Sequence, residues 1–313
     1  MENPDAMKQL PTVVALESLP VLASEKRGAS IQINDRYLQN RISVLNALDE
    51  ERFNDRIEML HESRRILDVD EISVEAVEVP ELREAADDLR ETYSEIPEVD
   101  FLQKTYPGDC IVVPEFLRVD NRIDFGVRLF FFRENDAPEP TEISHKNVRS
   151  VVNDEKNTFD RYIGSLHGYP ECCVTPFIER STDQRSPETR SVAPLEPHIR
   201  TNLIESSSDV SINEIAPTFF ETEHAYSFFA RKFYPEPHCQ TAQSRGKAIF
   251  EELMGSLNES LVRDYFRLNG LLDYTISQKN SEDETPAVGS LGVEHIYFYL
   301  PLIATLGSSR YST

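Results

Sequence analysis

A turn that carries two thiols is the feature of this chain that most restricts its fold. The run from His167 to Cys173 reads His-Gly-Tyr-Pro-Glu-Cys-Cys. Glycine is typical of the residue that ends a helix, and proline suits the first turn of the next helix. The run therefore predicts two helices joined by a tight turn, with Cys172 and Cys173 in the first turn of the second helix.

A third cysteine follows a similar signal. Cys239 ends the run Phe-Tyr-Pro-Glu-Pro-His-Cys at residues 233–239, and a helical pattern begins directly after it. Free backbone N–H groups and the positive end of the helix dipole stabilise a thiolate at a helix N-terminus. If the two helix N-termini face each other, Cys172, Cys173 and Cys239 form one compact thiol site.

Metal binding is the leading interpretation of this thiol site. His167 and His238 each lie close in sequence to one of its cysteines, and either would complete a tetrahedral zinc site. An iron–sulfur cluster is less favoured, because it normally needs four thiolates and Cys110 would have to join from the start of a predicted strand. Adjacent cysteines are an uncommon ligand pair, since neighbouring residues on a helix point about 100° apart. The predicted metal ligands are Cys172, Cys173 and Cys239 with His238 or His167.

The same cysteines are compatible with two other interpretations. In a thiol-dependent redox or nucleophilic enzyme without metal, one of the adjacent cysteines would be the attacking thiolate, with Cys239 resolving it or His167 as the base. A bridge between adjacent cysteines is strained, which favours exchange with Cys239. In a non-catalytic protein that binds partners through an acidic surface, the cysteines would only pack in the core. The sequence therefore leaves open whether the protein is an enzyme.

The two cysteine motifs resemble those of an archaeal family of uncharacterised proteins, a domain of unknown function, that shares a Gly-Tyr-Pro-x-Cys-Cys signature. The similarity covers about residues 100–270 and is carried by residues 164–173 and 233–239. The resemblance implies that the two motifs belong together, and it implies no activity. Members of the family often have a further cysteine near position 236 or 237, where this chain has Glu236 and Pro237. That difference disfavours a four-cysteine cluster.

The chain is strongly acidic. It carries 55 acidic and 32 basic side chains, a formal net charge of −23 at pH 7, and only 8 of the basic residues are lysines. This composition is typical of cytosolic proteins from salt-loving archaea, where a high salt concentration screens the repulsion between like charges. An ordinary acidic protein, or one with an acidic interaction surface, is the alternative. The charge disfavours a basic face for nucleic acid, so no nucleic-acid partner is expected.

No targeting or membrane-spanning segment is predicted. The N-terminus lacks the basic stretch of a signal peptide, and Glu17 and Pro20 interrupt its apolar residues. The longest apolar run, residues 296–306, contains Pro301 and is much shorter than the ~20 residues of a membrane-spanning helix. We therefore expect a cytoplasmic protein without a membrane partner, in which four cysteines favour metal binding or catalysis over disulfides.

The apolar periodicity predicts a helix-rich α+β fold with a small antiparallel hairpin or sheet. Helical spacing is present around Phe53 and from Leu82 to Tyr93, and strand-like runs at 110–113 and 125–132 flank the turn residues 120–121. Further helices are predicted over residues 147–166, around residues 249–257, and over residues 261–268 with Asn269-Gly270 as the stop signal.

Four segments are predicted along the chain. The first hundred residues hold 24 acidic and 11 basic side chains, and they read as helical. Few large apolar side chains occur between residues 181 and 217, which favours a loop there. The predicted segments are an acidic helical N-terminal region (1–100), a hairpin plus helices that carry the His-Gly-Tyr-Pro-Glu-Cys-Cys motif (101–180), a loop or linker (181–217), and a C-terminal helical part that completes the core (218–313).

Overall fold

The computed structural model describes residues 10, 12–33, 77–95, 97–119, 122–180, 185–199 and 216–279 of the chain. It confirms a helix-rich α+β fold with a small antiparallel sheet. The predicted helix around Phe53, the turn residues 120–121 and the apolar run 296–306 lie outside the described residues. The described residues divide into two compact units, one within residues 1–22 and 27–163 and the other within residues 23–26 and 164–301.

The first unit contains a three-stranded antiparallel sheet. Its strands are β1 (Gly28–Ile33), β2 (Asp109–Val119) and β3 (Arg122–Phe132), in the spatial order β1, β3, β2. Strands β2 and β3 form the predicted hairpin, in which Cys110 lies opposite Phe131. The sequence analysis did not identify β1, which pairs with β3 along its whole length. Pairing with β3, which is distant in sequence, stabilises this short strand. The six residues of β1 contain no local pattern that predicts this pairing.

Five of the helices that the structure describes begin in the first unit. The helix predicted from the stripe between Leu82 and Tyr93 is confirmed, and both residues are buried. The Glu78 N–H donates to the Glu81 carboxylate at 3.2 Å, which satisfies one of the N–H groups that a helix start leaves without a partner. The helices are α1 (Thr12–Leu22), α2 (Val79–Ser94), α3 (Pro97–Thr105), α4 (Pro140–Val152) and α5 (Lys156–His167).

The helical character predicted over residues 147–166 is confirmed, and it is divided between α4 and α5. Asp154 adopts a left-handed φ of 58° between them. The Glu155 N–H turns back to the Ser150 carbonyl at 2.8 Å, which closes α4. A short polar side chain such as Asp tolerates this conformation, so a helix stop is encoded without glycine or proline.

The second unit is helical in its described residues. Helix α7 (Pro187–Val192) and a 3-10 turn (Glu196–His198) lie inside the segment predicted as a loop or linker. Two further 3-10 turns, Phe219–Glu221 and Glu223–Ser227, precede the long C-terminal helices. The remaining helices are α6 (Glu171–Glu179), α8 (Gln240–Ser256) and α9 (Glu259–Lys279). Among the described helices, none combines the length and the apolar character that crossing a bilayer requires.

Helix α9 continues through Asn269 and Gly270, so the predicted stop at these residues is wrong. Both are used for packing instead. The Asn269 amide donates to the carbonyl of Phe228 at 3.0 Å, and a Cβ on Gly270 would lie 2.8 Å from the Phe219 ring. The buried side chains of α8 and α9 close the same core around Ile249, Leu253 and Phe266. Asn269 and Gly270 therefore allow α9 to pack closely against neighbouring core residues, and they do not end the helix.

Candidate metal centre

The Gly-Tyr-Pro sequence forms the turn that ends α5. Gly168 adopts a left-handed φ of 70°, which glycine reaches at little cost. The Tyr169 N–H donates to the Gly164 carbonyl at 2.9 Å, and the Gly168 N–H donates to the Ser165 carbonyl at 3.2 Å. This pair of bonds is the Schellman pattern of a helix C-terminus. The turn brings Pro170 directly to the start of α6.

The two adjacent thiols lie in the first turn of α6, as predicted. Pro170 is the N-cap residue, so it lies just outside the helix and not in its first turn as expected. Cys172 is exposed, whereas Cys173 is buried with 1% of its surface accessible. Neighbouring helical residues point in different directions, and the two sulfurs therefore differ in their access to solvent.

Aromatic rings anchor residues 233–239 to this part of the fold. The ring centroid of Tyr169 lies 4.5 Å from that of Phe233, and Phe229 lies 4.8 Å from Phe233. In parallel, Phe177 of α6 stacks on Tyr234 with centroids 5.7 Å apart. Such pairs contribute about 0.5–1.5 kcal/mol each beyond the area they bury. The segment that leads to Cys239 is thus held against both α6 and the turn before it.

Glu236 fixes the same segment through charge and through its backbone. Its carboxylate lies 3.1 Å from Nη1 of Arg180, at the end of α6, and 3.6 Å from Nε of Arg190 in α7. Its backbone N–H donates to the sulfur of Cys173 at 3.5 Å. A hydrogen bond of this kind favours the thiolate form and orients the sulfur, as groups around metal ligands commonly do.

Cys239 is the N-cap residue of α8. Two contacts of α8 fix its position in the second unit. The Arg245 guanidinium donates a hydrogen bond to the Gly168 carbonyl. Gly246 lies so close to the 3-10 turn that an added Cβ would be 1.7 Å from the carbonyl oxygen of Tyr226. The start of α8, and with it Cys239, is therefore held next to the Gly-Tyr-Pro turn.

These elements bring the three cysteines together. The sulfur atoms of Cys172, Cys173 and Cys239 all lie within 4.8 Å of one another, and those of Cys172 and Cys239 are 3.1 Å apart. A tetrahedral zinc ion with Zn–S bonds of ~2.3 Å places its sulfur ligands ~3.8 Å apart. The predicted convergence of the two motifs is confirmed, and the three free thiols are close enough to bind one metal ion.

The surroundings shift the three thiol pKa values in different directions. Burial raises the pKa of Cys173, and burial together with the contact to Cys239 raises the pKa of Cys172. Burial also opposes ionisation of Cys239, but its interactions with Cys172 and with the N–H of Ala242 outweigh burial and lower its pKa. Cys239 is therefore the sulfur most ready to lose its proton. A metal ion has to displace protons from the other two thiols.

Neither predicted histidine belongs to the group of donor atoms formed by the described residues. His167 is buried, and its ring centroid lies 5.0 Å from that of Tyr169. His238 is exposed and directly precedes Cys239, with a left-handed φ of 60°. Cys110 is buried on β2 in the first unit and does not belong to the group either. The identity of a fourth ligand therefore stays a prediction.

The sequence analysis missed the residues that hold the cysteine cluster in place. They are charged residues, and a charge in a sequence does not reveal whether its side chain is paired or solvated. For Glu236 the sequence does contain a signal of a fixed position, because Pro235 and Pro237 restrict the backbone on both sides of it. These residues are Glu236, Arg180, Arg190 and Arg245.

No family model, no curated protein and no solved structure matches the chain. The residues of the site form a cluster of three thiols that are close enough to bind a metal ion.

Proposed function

We propose that this protein binds a single metal ion through the thiolates of Cys172, Cys173 and Cys239. The observation that carries the proposal is the mutual distance of at most 4.8 Å between the three sulfurs. Three ionised thiols at this distance repel one another strongly, and a divalent cation removes that repulsion. The N–H group that Glu236 directs at the sulfur of Cys173 supports the same assignment, since it favours the thiolate that a metal requires.

Zinc is proposed ahead of an iron–sulfur cluster. Zinc accepts three thiolates with one nitrogen ligand, whereas the common iron–sulfur clusters take four cysteines. The remaining cysteine, Cys110, is buried on β2, outside the donor group. Positions 236 and 237, where a further thiol would lie next to the cluster, hold Glu and Pro. The number of thiols in the cluster therefore favours zinc.

His238 is proposed as the fourth ligand, with His167 as the alternative. His238 is exposed and adjacent in sequence to Cys239, so rotation of its side chain does not have to break a packed core. His167 is 4% exposed and packs on Tyr169, so its ring would have to leave that contact. A site closed by four protein ligands is typical of structural zinc, and three ligands with an open position are typical of catalytic zinc. The fourth ligand thus decides between the two roles.

Elemental analysis tests this function directly. The protein should be purified without a metal-affinity tag, in high salt and without oxygen, and we expect about one zinc ion per chain. Serine at Cys172 and Cys173 together should reduce the stoichiometry to near zero, and so should Cys239→Ser. Cys110→Ala is the matched control, because it removes a thiol outside the cluster, and it should keep its zinc. Metal-free wild-type protein, or equal loss in the control, would contradict the proposal.

A thiol-dependent enzyme without metal is the second candidate. The separation of 3.1 Å between the sulfurs of Cys172 and Cys239 favours it, because one thiol is then placed to resolve the other. Its signature would be one cysteine of the metal-free protein that alkylates much faster than the rest at neutral pH. Equal and slow alkylation of all four thiols would exclude it.

The cell environment is proposed from the composition. A net charge of −23 with few lysines supports a protein of the cytoplasm of a salt-loving archaeon, and the cysteine motifs support membership of the archaeal Gly-Tyr-Pro-x-Cys-Cys family. The same charge supports a protein without a nucleic-acid partner. Folding that needs molar salt, measured by circular dichroism across a salt series, is the expected result.

A further inference from the structure

Two of the three sulfurs, those of Cys172 and Cys239, are better placed to form a disulfide than the third. The sulfur of Cys172 lies 3.1 Å from that of Cys239, and an approach of about 1 Å brings them to the length of a disulfide bond. Cys172 is exposed and Cys239 is partly exposed, so a small oxidant in solvent reaches this pair.

Cys173 is kept out of this reaction by its surroundings. Only 1% of its surface is accessible, and its sulfur accepts the N–H of Glu236. A bridge to its neighbour Cys172 is strained, because adjacent residues cannot easily reach disulfide geometry. The arrangement therefore selects one pair among the three that the cluster contains.

We infer that Cys172 and Cys239 form a reversible disulfide when the protein meets a hydroperoxide, and that this bond releases the bound metal ion. The inference rests on the proposed metal centre for its second half, since release requires a bound ion. The disulfide itself requires only the two thiols. The cluster then acts as a site that responds to oxidation by giving up its metal.

The chemistry balances with hydrogen peroxide as the oxidant. The thiolate of one member of the pair attacks one peroxide oxygen, the O–O bond breaks, and a sulfenic acid and one hydroxide form. The thiolate of the other member then attacks the sulfenic sulfur, the S–S bond forms, and a second hydroxide leaves. Two thiolates lose two electrons in total and peroxide gains them. Cys173 then remains as the one thiolate beside the proposed histidine, and two protein ligands are too few to hold the ion.

The test uses the full chain, loaded with zinc and also free of metal. Each form is treated with hydrogen peroxide, and the remaining thiols are blocked. Peptide mass mapping then identifies the linked cysteines, while a chromogenic chelator measures released zinc. We expect the peptides of Cys172 and Cys239 to be joined in both forms, and at least nine tenths of the zinc to be released. Dithiothreitol should restore both the thiols and zinc binding.

Variants and alternative outcomes make the result decisive. Cys173→Ala should still form the bridge in its metal-free form, and Cys110→Ala should behave as wild type. A bridge that contains Cys173, or oxidation that stops at sulfenic or sulfinic acid, overturns the inference. So does a complete bridge that leaves zinc bound. Protein that holds no zinc before treatment but still joins Cys172 to Cys239 overturns the metal centre while it supports the pairing, so the two failures are distinguishable.

Discussion

The backbone N–H of Glu236 donates a hydrogen bond to the sulfur of Cys173 over 3.5 Å. The two residues come from different motifs, 63 positions apart in the chain. The side chain of Glu236 holds the donor in place through Arg180, the residue that follows α6, and Arg190 of α7. The Glu236 carboxylate therefore positions the backbone N–H that contacts the sulfur of Cys173.

Loss of this carboxylate should weaken metal binding. In Glu236→Gln the ion pairs to Arg180 and Arg190 are lost, so residues 233–239 gain freedom and the N–H···S bond is held less firmly. We expect the affinity for zinc to fall by about 10-fold, the lower end of effects seen for groups around metal ligands. Competition with a zinc chelator measures it.

Glu179→Gln is the matched control for this change. Glu179 lies exposed at the end of α6, and its substitution removes the same charge. It should leave zinc affinity within about 2-fold of wild type, because the interactions of exposed charges are screened by salt. Equal losses in the two variants would show that net charge, and not the position of Glu236, sets the affinity.

Removal of the proposed fourth ligand should change the coordination of the metal. His238→Asn deletes the imidazole and keeps a residue that tolerates the left-handed φ of 60° at this position. We expect zinc affinity to fall by about 10- to 100-fold and the visible spectrum of the cobalt-substituted protein to change. His198→Asn removes a partly exposed histidine of the second unit and should do neither. An unchanged spectrum in His238→Asn would direct the assignment to His167 or to an open site.

Two glycines of α8 should respond in opposite ways to alanine. A Cβ at Gly246 would lie 1.7 Å from the Tyr226 carbonyl oxygen, whereas one at Gly255 meets nothing within 4 Å. Gly246→Ala should therefore lower the free energy of unfolding by about 1–3 kcal/mol, because α8 has to move away from the Tyr226 backbone. Gly255→Ala should gain up to about 1 kcal/mol from helix propensity. Chemical denaturation measures both, and a stabilised Gly246→Ala would show that α8 does not pack closely against the Tyr226 carbonyl.

The buried carboxyl of Asp273 should make stability depend on pH. Burial raises the pKa of this α9 residue well above its usual value, the charge of Glu188 adds to the effect, and the hydrogen bond from Ser191 Oγ at 3.1 Å opposes it. Tyr234 also faces this group. Below a pH of about 3.9, the pKa of an Asp side chain in the unfolded chain, the carboxyl is protonated in both states, so its ionisation does not affect the free energy of unfolding. As the pH rises above that value, the unfolded chain ionises first and stability falls.

Asp273→Asn should abolish that loss. The amide oxygen still accepts from Ser191, so the free energy of unfolding of the variant should exceed that of wild type by an amount that grows by about 1.4 kcal/mol per pH unit above pH 4, until the folded pKa is reached. Denaturation at pH 4, 6 and 8 provides the comparison. Glu251→Gln, at an exposed position of α8, should show no such growth. A variant less stable than wild type at pH 8 would mean that Asp273 works as an ion.

Helix starts and amphipathic stripes could be predicted because their signals lie within a few residues of each other. The stripe from Leu82 to Tyr93 forms one buried helix face, and the thiols after Pro170 lie in a first helical turn. Where a local pattern gave a wrong prediction, a contact with residues distant in sequence determined the structure instead. Asn269 and Gly270 read as a helix stop, yet the Phe228 carbonyl and the Phe219 ring use them inside α9.

The sequence by itself determined that two helix N-termini carry thiols, since a glycine or proline turn acts on the backbone next to it whatever the rest of the chain does. Only the tertiary structure decided that these thiols meet. Cys172 and Cys239 are 67 positions apart, and their contact depends on the Tyr169–Phe233 ring pair and on the ion pairs of Glu236. Contacts at such separation have to overcome the entropic cost of closing a long loop, and many cooperating side chains supply that free energy. The sequence does not show which of these side chains contact one another.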